Sequence, residues 1–329
     1  MKTNRLLTWG LLLLLVSFGL MTEGCKKKQK NLIPVTVTLD WTPNTNHTGL
    51  YVALEKGLYK EQGLDVRIVQ PGQGYTDQIV ATGKSEFGVS YQENVTRARS
   101  EGIPLVSIAA IMQHNTSCFA SLKDANIKTV KDFEGKRYGS WDSPSEIAVL
   151  KAVMQKAGAD FNKVRIVSGV TDFFSTIGRD ADFEWIYMGW DGIEAGLRKM
   201  ELNHIMLKDL EPALDYYTPV LITSENIIRQ KPDLVKSFLK ATSAGYQFAI
   251  QNPNAAADIL LKHAPELKPQ LVQASQQYVS AQYQADSPVW GLQKAEVWQR
   301  FQDWMAAQNL LKQTTDMNKA FTNRFLPKK

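Results

Sequence analysis

The sequence predicts an α/β protein built from two lobes that are joined by two hinge crossings. Strand-like and helix-like segments alternate from Leu32 onward, and the same alternation starts again after Cys118. From Glu225 to the end the pattern is almost entirely helical. Strands that alternate with helices are typical of a mostly parallel sheet covered on both faces. Two such segments followed by a helical tail indicate that one domain interrupts another.

Apolar runs mark the strands, and helical spacing of apolar residues marks the helices between them. In the first segment we expect strands at VTVTLDW, DVRIVQ, FGVSY and PLVSIAAIM, and helices at residues 48–60, 76–82 and 93–101. The second segment contains the strand-like stretches KVRIVSG, DFEWIYMGW and HIMLKDL, with helices opening at DSPSE, near 173–177 and at 193–199. Within SWDSPSE, the order Ser143, Pro144 and Glu146 predicts a capped helix start.

These segments set the predicted domain boundaries. Residues 32–118 and 222–329 form lobe 1, and residues 119–221 form lobe 2. The crossings fall near residues 118–121 and 218–222, and the helical tail is expected to return and pack on lobe 1.

The first 25 residues are typical of an export signal. Two early cations precede an apolar stretch at residues 6–21, which is shorter than a bilayer-spanning helix requires. The Gly24-Cys25 end resembles the lipobox of bacterial lipoproteins, although the two residues before it depart from the usual pattern. The resemblance implies a protein that is exported and anchored by a lipid on Cys25 to the outer side of the cell membrane, with residues 26–31 as a tether. An ordinary cleaved signal is the alternative.

The charge distribution argues against a nucleic-acid-binding body. Six cations and one carboxylate within residues 1–30 account for the whole formal net charge of +5, so the rest of the chain is about neutral. A nucleic-acid footprint needs clustered cations on the folded domain. The two cysteines are Cys25 and Cys118, so lipid on Cys25 leaves no internal disulfide.

Aromatic and polar side chains collect where the predicted strands end, which is where open α/β sheets bind ligands. Aromatic faces supply stacking area, and amides or carboxylates fix ring nitrogens and amines, so the set suits a flat polar heterocycle. Asp191 or Glu194 could pair with an aminopyrimidine edge. Tryptophan and tyrosine at strand ends also cap cores, so the coincidence across several loops matters more than any one residue. The candidate ligand-binding residues are Trp41, Asn44, His47, Tyr91, Asn115, Trp141, Tyr187, Trp190, Asp191, Glu194 and Tyr217.

Metal and nucleophile motifs are weak in this sequence. The four histidines lack HxxxH and HxH spacing, and Cys118 has no CxxC partner. PGQG at residues 71–74 is too short for a phosphate-cradling loop. The sequence therefore predicts no metal site and no catalytic constellation.

The stretch LDWTPNTNHTGLYVALEKGLYKEQGLDVRIVQPG at residues 39–72 resembles the thiamine-pyrimidine group of periplasmic-binding-protein-like proteins, as do TGKSEFG and GWDGIE. This group contains solute-binding proteins of ABC importers for N-formyl-aminomethyl-pyrimidine, riboflavin-binding relatives and fungal thiamine-pyrimidine synthases. The resemblance covers residues 33–224 and implies a type II periplasmic-binding-protein-like fold with the ligand between the lobes. It also implies that one side of the cleft carries Trp41, Tyr91 and Asn115, and the other Trp190, Asp191 and Glu194.

The synthases of this group differ from this chain at two positions. Their cofactor lysine and substrate histidine correspond here to Ser90 and Asn94, and their cysteine-rich motif is absent from DYYTPVLIT. Without an amine to form a Schiff base, pyridoxal chemistry has no start. The resemblance therefore implies no enzyme and no cofactor.

We expect a monomeric substrate-binding lipoprotein of an ABC importer that stacks a thiamine pyrimidine precursor between its lobes and is recognised by a membrane permease. Alternative ligands are riboflavin or another aromatic heterocycle, or a sulfonate or nitrate-type anion. An exported pyrimidine-synthase-like enzyme is the alternative from another class.

Overall fold

A computed structural model gives the structure of residues 31–72 and 75–328, in which ten strands form two five-stranded sheets. The strands are β1 (Ile33–Thr38), β2 (Leu64–Val69), β3 (Phe87–Ser90), β4 (Leu105–Ala110), β5 (Ser117–Leu122), β6 (Arg137–Gly139), β7 (Arg165–Val167), β8 (Phe183–Tyr187), β9 (Leu202–Met206) and β10 (Val220–Ser224). The predicted export signal, tether and lipidated Cys25 lie outside the described residues, except for the last tether residue, Asn31.

Each sheet combines parallel strands with one antiparallel strand that follows a crossing. The first sheet has the order β2-β1-β3-β10-β4, with β1 parallel to β2 and β3, and β10 antiparallel to β3 and β4. The second has the order β7-β6-β8-β5-β9, with β5 antiparallel to β8 and β9. Residues 118–121, where the sequence predicted the first crossing, are therefore part of β5. That crossing lies between β4 and β5, because β5 is paired on both sides within the second sheet.

The helices cover both sheets, and the part after β10 is helical as predicted. They are α1 (Thr48–Glu55), α2 (Leu58–Glu61), α3 (Thr76–Ala81), α4 (Gln92–Ser100), α5 (Pro144–Lys156), α6 (Phe173–Thr176), α7 (Ile193–Leu197), α8 (Leu207–Leu210), α9 (Glu225–Gln230), α10 (Pro232–Gln251), α11 (Pro253–His263), α12 (Pro269–Gln282) and α13 (Ala295–Ala307). The helix predicted at residues 48–60 is divided in two, because Gly57 adopts a φ of 72°. The predicted cap of α5 is confirmed, with Ser143 and Glu146 forming a reciprocal capping box.

The tail packs on both sheets rather than on the first alone. Apolar residues of α10, α11 and α12 join β1, β3 and α1 in the largest core cluster. Helix α13 divides its contacts: Trp298 lies in a cluster with residues of β4 and β10, whereas Phe301 and Met305 pack into the core of the second sheet. Helices α10 to α12 therefore pack with β1, β3 and α1, and α13 links the two sheets.

Two glycines bring the first helix close to the tail. A Cβ atom on Gly245 in α10 would overlap the carbonyl oxygen of Gly49 in α1, and a Cβ atom on Gly49 would overlap the ring of Tyr246. The Tyr246 hydroxyl also donates to the carbonyl oxygen of Asn46 at 2.7 Å. The loop that follows β1 is thereby held against the C-terminal helices, since both glycines allow backbones to approach closely.

A search of residues 31–72 and 75–328 finds no helix that is both long and apolar enough to cross a membrane.

Candidate ligand-binding cleft

Asp40, directly after β1, joins two of the predicted site residues. The Tyr91 hydroxyl donates to Asp40 Oδ2 at 2.6 Å, and His47 Nε2 lies 2.6 Å from Oδ1. His47 Nδ1 accepts the backbone N–H of Asn44 at 3.2 Å, so the proton on Nε2 faces Asp40. Burial raises the pKa of Asp40. The charge of His47 and the hydrogen bonds with His47 and Tyr91 have the larger combined effect, so the pKa of Asp40 lies below its usual value. Asp40 is therefore a buried anion with both oxygens engaged.

A short 3-10 turn at Thr45–His47 places the histidine. Asn44 caps this turn, because its side-chain oxygen accepts the backbone N–H of Asn46 at 2.9 Å. The side-chain N–H of Asn44 donates to the carbonyl oxygen of Thr42 at 3.1 Å. Both ends of the buried amide thus serve the local turn, and Asn44 orients His47 through it.

Two further carboxylates lie near the junction between β3 and α4: Asp77, from α3, and Glu93. Ser90 Oγ donates to Asp77 Oδ1 at 2.5 Å, and burial raises the pKa of Asp77. Glu93, in the first turn of α4, has its pKa raised by burial to about 7, against the opposing effect of Arg97 and the Tyr216 hydroxyl. Its Oε2 atom is screened from solvent and, within the described residues, has no hydrogen-bond partner. Glu93 therefore holds an acceptor that residues 31–72 and 75–328 leave unsatisfied.

Tyr187 and Asp191 come from the second sheet. A turn of π-helix at Met188–Gly192 follows β8, and Asp191 Oδ2 accepts the backbone N–H of Tyr187 at 3.1 Å. Burial raises the pKa of Asp191 to about 6. Burial, followed by the negative charges of Glu93 and Asp40, raises the pKa of the Tyr187 phenol. Because Tyr187 ends a strand of one sheet, and Glu93 and Asp40 follow strands of the other, polar groups of both sheets meet here.

Neighbouring tyrosines at the second crossing have different environments. The hydroxyl oxygen of Tyr217, a predicted site residue, accepts the backbone N–H of Lys294 at 2.9 Å, and its ring lies in a core cluster. Burial and the charge of Glu93 raise the pKa of Tyr216. The Tyr216 ring stacks on Phe301, with 4.2 Å between ring centroids. The structure therefore brings Tyr216, and not Tyr217, to the carboxylate.

The predicted tryptophans are only partly enclosed. Trp41 is 51% exposed and Trp141 is 43% exposed. Trp141 lies beside Trp185, with 5.7 Å between ring centroids. Trp190 is partly buried and packs against the largest core cluster. Their stacking role stays a prediction.

Asn115 and Glu194 have protein partners. The Asn115 side chain donates to the carbonyl oxygen of Leu214 at 2.9 Å and accepts both the backbone N–H and the hydroxyl of Ser117, at 2.9 Å and 2.6 Å. Glu194 forms ion pairs with Arg198 and, at 2.6 Å, with Lys268 of the C-terminal segment. The Asn115 amide thus spans the two crossings, and the Glu194 carboxylate links α7 to the start of α12.

Sequence reasoning did not select Asp40, Asp77, Glu93 or Tyr216 as site residues. Asp40 and Glu93 were detectable in part, because Asp40 directly precedes the selected Trp41 and Glu93 lies two residues after the selected Tyr91. Across residues 31–72 and 75–328, no group of three or more histidine, cysteine or acidic residues could hold a metal ion.

Two sheets, each entered by an antiparallel strand after a crossing, with polar groups facing each other at their strand ends, define a protein of the periplasmic-binding-protein fold. The alkanesulfonate-binding protein SsuA from Xanthomonas axonopodis pv. citri, solved with MOPS, superimposes with a TM-score of 0.66 at 15% identity, covering 88% of this chain and 98% of that one. The predicted fold is thereby confirmed.

Residues 44–256 match the family model described as NMT1/THI5 like, and the chain belongs to this family. It is 28% identical to the formylaminopyrimidine-binding protein of Halalkalibacterium halodurans, covering 98% of this chain and 99% of the relative. It is 26% identical to the 4-amino-5-hydroxymethyl-2-methylpyrimidine phosphate synthase of Legionella pneumophila subsp. pneumophila, covering 89% of this chain and 92% of the relative. The resemblance to the thiamine-pyrimidine group is confirmed, and the family contains both binding proteins and synthases.

Proposed function

We propose that this protein is the solute-binding component of an ABC importer and that it captures a planar aminopyrimidine of the thiamine-precursor type. The observation that carries the proposal is the convergence of Tyr187, from the second sheet, with Asp40, Tyr91 and Glu93 from the first. A ligand held by groups of both lobes favours the closed state by its extra contacts there. The permease then distinguishes the loaded protein by its closed shape.

An aminopyrimidine fits these groups better than an anion does. Phenol and indole faces give stacking area, and carboxylates accept from ring amines. The end-to-end similarity to a protein named for formylaminopyrimidine binding supports the same ligand class. Asp40 and Glu93 disfavour a sulfonate or nitrate, because like charges repel in a low-dielectric cleft.

Binding without catalysis is part of the proposal. Ser90 holds the position of the synthase lysine, and its hydroxyl is bonded to Asp77 at 2.5 Å, so no amine is available there for a Schiff base. The competing function is that of a pyrimidine synthase, which the Legionella relative favours. Incubation with pyridoxal phosphate distinguishes the two: an absorbance band that borohydride reduces supports the synthase, and an unchanged spectrum supports a binding protein.

Export and anchoring belong to the same proposal. The signal-like residues 1–25 and Cys25 support a lipoprotein on the outer face of the membrane, with the permease as its partner. Mass spectrometry of the mature N-terminal peptide checks this: a diacylglyceryl group on Cys25 supports anchoring, and a free N-terminus beyond it opposes anchoring.

Isothermal titration calorimetry tests the ligand. We expect saturable one-to-one binding of 4-amino-5-(formylaminomethyl)-2-methylpyrimidine and no saturable heat with alkanesulfonate. Saturable binding of the sulfonate, with none of the pyrimidine, overturns the proposal. Riboflavin belongs in the same series, because a yellow purified protein would indicate that alternative ligand.

A further inference from the structure

We infer that Glu93 selects the ligand of this cleft by accepting N–H donors from the amine-bearing edge of a planar heterocycle. The inference rests on the proposed function and deepens it, because it assigns the specificity to one residue that the sequence analysis did not select.

The first support is the unsatisfied oxygen. Glu93 Oε2 is shielded from solvent and, among residues 31–72 and 75–328, has no hydrogen-bond partner. An ionised carboxylate is an acceptor only, and a buried acceptor without a partner is costly. Native proteins keep few such groups outside functional sites. A ligand that brings N–H donors removes this cost, whereas an acceptor such as a sulfonate oxygen increases it.

The second support is the position of Glu93 between the sheets. It lies in the first turn of α4, just beyond the end of β3. Its charge raises the pKa of Tyr187, the last residue of β8 in the other sheet, and that of Tyr216 at the second crossing. A donor on a ligand that reaches Glu93 is therefore next to phenol groups that belong to the other side of the cleft.

The other acids of the region are already engaged. Asp40 accepts from Tyr91 at one oxygen and faces His47 at the other. Glu194, which the sequence analysis favoured for the amine edge, is paired with two cations. Asp191, the other carboxylate favoured there, accepts a backbone N–H. Among these acids of the described residues, Glu93 is the one with a carboxylate oxygen that is both shielded from solvent and without a hydrogen-bond partner.

The first test needs no ligand. At pH 8 the Glu93 carboxyl, with a pKa of about 7, is charged in the fold, whereas at pH 5 it is protonated. The Glu93 carboxyl has a pKa of about 4.3 in the unfolded chain, which is lower than its pKa in the fold. The free energy of unfolding of the wild type therefore falls as the pH rises from the unfolded value through the folded value. Glu93→Gln carries no such charge, so we expect a higher melting temperature than wild type at pH 8 and a smaller difference at pH 5. A pH-independent difference, or none, overturns the inference.

The second test measures selectivity by calorimetry. The probes are 4-amino-5-(formylaminomethyl)-2-methylpyrimidine and its 4-methoxy analogue, which lacks the amine donors. We expect the wild type to prefer the amine by about 10- to 100-fold, as charged hydrogen bonds allow. Glu93→Gln should reduce this preference to a few-fold, whereas Glu61→Gln, an exposed acid of the same lobe, should leave it unchanged.

The outcomes separate the inference from the proposed function. Wild-type protein that binds neither probe overturns the proposed function and this inference with it. Wild-type protein that binds the amine, with a Glu93→Gln variant that keeps the full preference, overturns the assignment of Glu93 alone.

Discussion

At the scale of single residues, the loop after β1 is organised around one carboxylate. The Asp40 side chain is 6% exposed and accepts hydrogen bonds from groups on two different elements, the turn at Thr45–His47 and the start of α4. A buried charge of this kind is tolerated because its hydrogen bonds replace those of water. Asp40 thus fixes His47 and Tyr91 before any ligand arrives.

Replacing Asp40 by asparagine tests this arrangement. In Asp40→Asn one side-chain oxygen becomes an NH₂ group that faces a donor, so we expect the free energy of unfolding at pH 7 to fall by about 2–4 kcal/mol. Because the pKa of Asp40 is lowered in the fold, its contribution is present above the unfolded pKa and is lost as the pH falls through the folded value. The difference measured by urea unfolding should therefore shrink below about pH 4. Asp65→Asn, at an exposed position of β2, is the control, and equal stability of the two variants would contradict the role of Asp40.

Some residues of the cleft could be predicted from the sequence, and others could not. Asn44, His47 and Tyr91 were selected from the sequence because polar residues after strands are expected to converge on one end of a sheet. The choice between Tyr216 and Tyr217 was not accessible, because it depends on which way the backbone turns at the crossing. The unused oxygen of Glu93 was equally hidden, since a missing partner is a property of the folded surroundings.

At the scale of elements, α12 connects the two lobes. Ser275 donates to the carbonyl oxygen of Gly189 in the π-helical turn and lies 2.6 Å, Oγ to Oγ1, from Thr45 in the loop after β1. A Cβ atom on Gly189 would overlap Val279 of α12. Lys268, just before α12, adds the ion pair with Glu194. These contacts join groups that come from the two different sheets, so we expect them to stabilise the ligand-bound arrangement.

The ion pair between Lys268 and Glu194 should therefore support ligand binding. We expect Lys268→Ala to weaken binding of the formylaminopyrimidine by up to about fivefold, the range of a partly exposed pair, and the effect to fade at high salt. Lys262→Ala removes a similarly exposed lysine paired with Glu55, on two elements that pack in the same core, and should leave affinity unchanged. Calorimetry at low and high salt measures both, and equal affinity of Lys268→Ala and wild type at low salt would contradict the closing role.

The elements also mark where sequence patterns fail. The alternation of strands and helices predicted both sheets because period and length are local properties. Strand β5 was missed, since SCFASL carries a short mixed pattern next to a chain crossing. The pairing of Glu194 with Lys268 was missed because 74 residues separate the partners along the chain.

At the scale of the whole molecule, a histidine ties the two crossings to the tail. His114, in the first crossing, has Nδ1 2.8 Å from Asp215 in the second crossing and Nε2 3.1 Å from Asp286 after α12. The backbone N–H of Asn115 donates to the other oxygen of Asp215 at 3.1 Å, and an Arg300 N–H reaches the Asp215 carbonyl oxygen at 3.5 Å. An imidazole between two carboxylates therefore joins the two crossings to the segment after α12.

This arrangement predicts how stability depends on pH. The hydrogen bond to Asp215, together with the charges of Asp215 and Asp286, raises the pKa of His114 against the opposing effect of burial. Its contribution is therefore fully present below the unfolded pKa, about 6.5, and is lost as the pH rises through the higher folded value. Because the three side chains are partly exposed, the contribution is about 1 kcal/mol or less, which corresponds to about 1–3 °C in melting temperature. His114→Gln should thus melt below wild type at pH 5.5 and close to it at pH 9, whereas His204→Gln, on the outer strand β9, should match wild type at both. Calorimetric melting of the three proteins at both pH values decides the matter, and a deficit in His114→Gln that is equally large at pH 9 would show that packing, rather than charge, connects the crossings.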